Sequence, residues 1–449
     1  MNWKKGIVAL PLSVSLLLPT AGIVSAQNGE THSAPTVETP AADLRATLGH
    51  LLSEHAYFAI ETMRKGAEGA ADFEESAGAL SDNTEDLAKA ISSVYGEEAG
   101  KQFHDMWSNH IGFFVDYVKA TGNKDEDAKQ KALDSLANYK NEFSQFLETA
   151  TGERLEADAL AEGLQMHVNQ LIGAFDSYVA GNYEKAYEYE REAINHMHMV
   201  AKGLSSAITD QFPDKFNNTM AVTPASDLRA KLGHLLAEHA GLAMMAMQNG
   251  IDGSKDFEAS AQALSENTDD LAAAISSVYG EDAGMKFKEM WSGHIGYFVD
   301  YVKATAANDE AKKEEALKNL EQYREDFSNF LETATDERLK ADMLSQGLQD
   351  HVEQLIGAFN SYAGENYATA YDNVREAYAH MFTPAKALSG AFVNQFPEKF
   401  ESSMPSDMPK TGMGGTAQQQ EFPFELLLAG LLAIAAATGV VLRRKQIER

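Results

Sequence analysis

The chain has no cysteine. That excludes disulfides, a thiol nucleophile, iron–sulfur clusters and cysteine zinc sites, so the fold must be held by core burial. Positive charge is scarce: 37 Lys and Arg stand against 67 Asp and Glu, for a formal net charge of −30. Such a surface repels phosphate backbones and anionic lipid, which argues against nucleic acid as a partner. It suits solubility in a salty or alkaline medium. Strand-like alternation is missing, and the apolar residues recur at a period close to 3.6. No G-x-S-x-G, Walker, H-E-x-x-H or EF-hand sequence occurs.

What is present is written twice. Residues 41–216 recur as 225–400 without a gap, at an offset of 184 positions (Leu48 to Leu232). LGHLLSEHA beginning at Leu48 returns as LGHLLAEHA, and WSNHIGFFVDYVKAT beginning at Trp107 returns as WSGHIGYFVDYVKAT. A unit this long is a duplicated domain, because solenoid repeats are much shorter. Either copy is long enough for its own core.

The expected architecture is all-α: two tandem copies of a six-helix up-down bundle, flanked by a signal peptide and a C-terminal anchor helix. In copy 1 the helices fall at about 41–65, 73–95, 97–120, 125–149, 153–179 and 183–209, the last stopped by Pro213. Linkers are expected at 27–40, 217–224 and 401–407. The acidic runs at Asp125 and Asp309 read as solvated helix starts, where negative charge complements the dipole.

The ends carry addresses. Residues 1–26 have a basic start (Lys4, Lys5), an apolar run and small residues before Ala26, the pattern of a secretory signal. Residues 408–449 run Met408-Pro409-Lys410-Thr411-Gly412, an apolar stretch from Leu426 to Leu442, then Arg443-Arg444-Lys445. This resembles the LPxTG sorting signal of Gram-positive surface proteins, with Met408 where that family prefers Leu. The resemblance implies a sortase that cuts after Thr411 and joins it to peptidoglycan. The protein would then be extracellular and wall-attached, meeting the membrane only through the cleaved segment.

Histidines are the candidate chemistry. On helical wheels His55 and His110 lie within apolar faces, His167 lies to one side of its face, and His196 sits at an edge. His55, His110 and His167 each fall about 20 Å into their helices, and His196 is near the middle of its own. Parallel first, third and fifth helices would bring these rings to one level. Copy 2 repeats the set as His239, His294, His351 and His380. Imidazole is a common ligand for copper, zinc and iron, and bundle interiors are where helical proteins build such sites. Additional ligands or hydrogen-bond acceptors would come from Glu54, Glu192 and Met197, or Glu238, Glu376 and Met381. The copy comparison removes His104 and His198, which become Lys288 and Phe382.

A haem with two axial histidines ranks below a bare ion, because no C-x-x-C-H and no porphyrin slot is visible. The histidine-bearing bundle looks superficially like hemerythrin but lacks its H-x-x-x-H helix. Asn182-Tyr183-Glu184 and His196-x-His198 resemble the quinone-forming tyrosine and paired copper ligands of copper amine oxidases, and the helical repeat faintly resembles exported proteins of Bacillus-like bacteria that carry a copper amine oxidase-like label. Copy 2 has Ala368 and Phe382 at the matching places, and that enzyme is built on a β-sandwich.

Three functions follow as expectations. The first is a wall-anchored protein whose two bundles bind a transition metal for capture or buffering. The second is a structural or adhesive surface protein whose histidines are core detail. The third is an exported copper- or iron-dependent oxidase, ranked last because inward carboxylates are too few for a di-iron set.

Overall fold

The structure is a computed structural model that describes residues 34–401. The expected signal peptide, the first part of the expected linker after it, the expected linker beyond residue 401 and the expected sorting signal lie outside the described residues. Among the described residues there is no strand, and no helix is long and apolar enough to cross a membrane.

Copy 1 contains α1 (Pro40–Glu68), α2 (Phe73–Tyr95), α3 (Glu97–Asn123), α4 (Glu126–Ala150), α5 (Ala157–Val179) and α6 (Tyr183–Gln211). Copy 2 contains α7 (Pro224–Asp252), α8 (Phe257–Tyr279), α9 (Glu281–Ala306), α10 (Glu310–Ala334), α11 (Ala341–Ala363), α12 (Tyr367–His380) and α13 (Phe382–Gln395). Local chemistry sets many boundaries. Thr39 and Thr223 accept hydrogen bonds from the first turns of α1 and α7, each opened by a proline. Gly69 and Gly253 close those helices in the left-handed conformation, at φ +62° and +63°. Gly96 alone joins α2 to α3 with φ 92° and ψ 165°, a backbone state essentially limited to glycine.

The sixth helix of copy 2 departs from expectation. It breaks at Met381 into α12 and α13. Pro384 stands where copy 1 has Val200. Its missing N–H and its ring remove the hydrogen bond to the His380 carbonyl, which ends α12 there.

A larger departure concerns the copies themselves. They do not form two bundles strung on a linker; the described residues make one compact body. α1 and α7 pack against each other, α6 reaches α8, and α12 reaches α2. α1 and α7 are therefore buried around nearly their whole circumference rather than along one stripe.

The contacts between copies come in mirrored pairs. Arg45 donates to Asp227 at 2.5 Å, and Arg229 to Asp43 at 2.6 Å. Arg191 donates to Glu238 at 3.1 Å, and Arg375 to Glu54 at 3.3 Å. The Tyr187 hydroxyl donates to Asp256, and the Tyr371 hydroxyl to Asp72, both at 2.8 Å. The pseudo-twofold relation is broken at the centre. α1 carries Glu61, Arg64 and Lys65, where α7 carries Met245, Gln248 and Asn249. Arg64 reaches across to Asp256 at 2.8 Å while holding Glu61 at 2.7 Å.

Shape is complementary in the same asymmetric way. Tyr57 of α1 lies over Gly241, its counterpart in α7, and a Cβ on Gly241 would meet the Tyr57 ring at 2.9 Å. Gly241→Ala is expected to destabilise the protein by about 1–3 kcal/mol through overpacking. Gly293→Ala, where an added Cβ meets nothing within 4 Å, should instead stabilise by roughly 0.5–1 kcal/mol. Urea denaturation of both variants checks the contrast.

Candidate metal centres

α1, α3 and α5 each place a histidine at mid-length on the side facing the other two. One nitrogen from each of His55, His110 and His167 lies within 4.8 Å of the others. His239, His294 and His351 form the same group in copy 2. Ring centroids are 5.3 Å apart for His55–His110, 5.7 Å for His55–His167 and 6.4 Å for His110–His167. Their copy-2 counterparts His239–His294 and His239–His351 are 5.3 and 5.9 Å apart.

Aromatic rings hold the imidazoles in place. Trp107 packs on His55 at 4.7 Å and edge-on to His110 at 4.6 Å, and Tyr139 stacks on His110 at 4.8 Å. Trp291 and Tyr323 do the same in copy 2. The six histidines are between 0 and 4% exposed. Burial pushes all six down in pKa: His110, His294 and His351 to about 3, and the other three well below the usual imidazole range. All six are therefore neutral at pH 7, the form that ligates metal.

Their nitrogens are short of partners. Both ring nitrogens of His55 and His167 make no hydrogen bond, and His239 and His351 match them atom for atom; His110 and His294 lean on the carbonyls of Trp107 and Trp291, one turn back. A buried polar atom left unsatisfied costs about 1–3 kcal/mol. A core histidine kept only for packing would be bonded to a carbonyl or hydroxyl. A metal ion would satisfy one nitrogen of every ring. Tetrahedral ligands at about 2.1 Å from an ion lie roughly 3.4 Å apart, so the rings need to draw in by no more than about 1.5 Å.

The other expected ligands stand elsewhere. His196 and His380 stand apart from the groups, on the flank beside Gly163 and Gly347, one turn before His167 and His351 on the fifth helix of each copy. Met197 and Met381 point inward, at 2 and 3% exposure, which turns the preceding residue 100° away to the flank. Nε2 of His380 lies 3.1 Å from the Gly347 carbonyl oxygen, and His196 packs over Gly163. Neither joins its group of three. Glu54 and Glu238 are buried but committed to the ion pairs between copies and to Asn83 and Asn267, at 2.7 and 2.6 Å. Glu192 and Glu376 are exposed. Met197 lines a cavity of about 250 Å³ that also touches His110, His167 and His196, so a soft sulfur donor borders the first centre.

Wheel reasoning missed the residues that link the copies: Arg64, Lys65, Asp72, Asp256 and Tyr187. Their signal lay in the divergence between copies along the first helix, where Glu61, Arg64 and Lys65 meet Met245, Gln248 and Asn249.

Fold and site together define an all-α protein with two buried three-histidine groups able to hold a metal ion. No family model, curated protein or solved structure matches the chain.

Proposed function

We propose that this is an exported, wall-anchored metal-binding protein that takes one copper ion per copy, on His55, His110 and His167 and on His239, His294 and His351. The observation that carries the reading is eight buried ring nitrogens without partners, on His55, His167, His239 and His351, gathered in two equivalent groups. The choice of copper rests on charge. No carboxylate belongs to either group, so an ion enters the core with its charge uncompensated. The cost of burying an ion grows with the square of its charge, which favours Cu(I) over a divalent ion several-fold. Neutral imidazoles, with the Met197 sulfur nearby in copy 1, also suit a soft monovalent ion. The secretory and sorting patterns at the two ends support capture or buffering outside the cell.

Equilibrium dialysis of the purified protein against Cu(I), followed by metal analysis, should give two ions per chain. His55→Leu should reduce this to one, and His55→Leu with His239→Leu to none. Both variants should be at least as stable as the parent without metal, because each removes a buried unsatisfied ring. Tighter retention of zinc or iron would reassign the ion. Failure to retain any metal at these groups would end the proposal.

A further inference from the structure

Beside the second histidine group, a cavity of about 710 Å³ runs between α7, α8 and α9. That is the size of sites for drug-sized ligands. Its lining includes His239 at one extreme and Gly253, the α7 cap, at the other. These are fourteen residues apart on one helix, roughly 21 Å at 1.5 Å per residue. The space is therefore elongated. Small side chains make room for it, with Ala243, Ala246 and Ala261 facing Phe298, Val299 and Val302. Near the helix ends the lining turns polar, with Lys255 and Lys303 against one carboxylate, Glu258. Lys255 also borders a neighbouring groove containing Glu184 and Glu188, whereas Lys303 does not.

Copy 1 differs at the places that matter. Ala246 corresponds to Thr62, and Lys255 to Ala71. The width at mid-cavity and the second lysine thus belong to copy 2.

We infer that this cavity binds a long-chain fatty acid. The alkyl chain runs along α7 towards His239 and His294, and the carboxylate rests at the mouth near Lys303 and Lys255. A cavity of this length and apolar wall would gain from each methylene it removes from water. Two ammonium groups at the open end give a carboxylate a favourable terminus without burying it. The inference does not depend on a metal: His239 and His294 border only the inner end of the cavity, and the remaining apolar walls and the lysines do not belong to the histidine group.

The test is displacement of a fluorescent fatty acid from the delipidated full-length protein, with and without copper. Palmitate should bind once per chain in both states. Shortening the chain by two carbons should weaken binding roughly tenfold. Lys255→Ala with Lys303→Ala, both at exposed positions, should weaken palmitate at least several-fold and leave hexadecanol unchanged. Ala246→Phe should abolish both, with helix content followed by circular dichroism. Absence of saturable palmitate binding, no dependence on chain length, or equal binding by the lysine variant would overturn the proposal. A loss of metal retention with palmitate binding intact would count against the copper reading alone.

Discussion

Acidifying the metal-free protein from pH 7 to pH 4 is expected to unfold it. Burial holds His110, His294 and His351 at about 3, against an ordinary value of 6.5. A histidine whose folded pKa is depressed binds fewer protons when folded than when unfolded. Its contribution is intact above about pH 6.5 and is lost as pH falls towards 3. At pH 4 the gap is about 2.5 units, or about 3 kcal/mol for a single such ring, and the two groups lie in different copies, so losses of several kcal/mol accumulate. That is comparable with the whole stability of a typical protein, roughly 5–15 kcal/mol. His55, His167 and His239 shift in the same direction and add to it. Relief of self-repulsion on the acidic surface works the other way, but those charges are mostly exposed and screened. Glu190 works against the histidines in the same range: burial raises it from 4.5 to about 8, so it destabilises as pH rises through that interval and gives back part of the loss on acidification. Circular dichroism against pH should show the acid transition between about pH 6 and pH 4, moved lower by bound metal. A metal-free protein that keeps its helix content and cooperative melting at pH 4 would contradict the burial of neutral imidazoles.

Arg64→Met should lower stability by about 3–5 kcal/mol, the usual loss when one partner of a buried ion pair is removed. Arg64 is 5% exposed and donates to Glu61, Asp256, Tyr187 and Asn249. Without it, Asp256 loses its cation and keeps only the neutral donors Tyr187 and Asn249, while Glu61 is left with Lys65 at 3.7 Å. Asp256→Asn in the same chain should recover part of the loss, and the double-mutant cycle measures the coupling. The substitution sits between copies, so it also tests whether they fold as one unit. Melting of the variant in two separate steps would show that they do not.

The helices were legible because the 3.6 periodicity runs almost unbroken, and most ends fell within a few residues of a glycine, a proline or a cap. The start of α5 and the break at Met381 were not: the first lies in a polar turn, and the second depends on one substitution, Val200 to Pro384. The three-histidine groups followed from two coordinates, height along the helix and angle around it. His196 failed the second, and the inward Met197 beside it was the sign. The joining of the copies was hidden by the rule that charge marks a solvated face. On α1, Glu54, Glu61, Arg64 and Lys65 are all buried because the other copy supplies their partners or covers them. A single-copy wheel has no place for that. Comparison of the two first helices does, since Tyr57 faces Gly241 and copies with identical surroundings would have no reason to diverge there.

The most direct measurement is X-ray absorption on copper-loaded protein. The account predicts three imidazole nitrogens at about 2.0–2.1 Å from each ion, with two ions per chain in the parent and one ion per chain, in the same three-nitrogen shell, in His55→Leu. Copper held mainly by oxygen ligands, or two ions per chain still retained by His55→Leu, would contradict it.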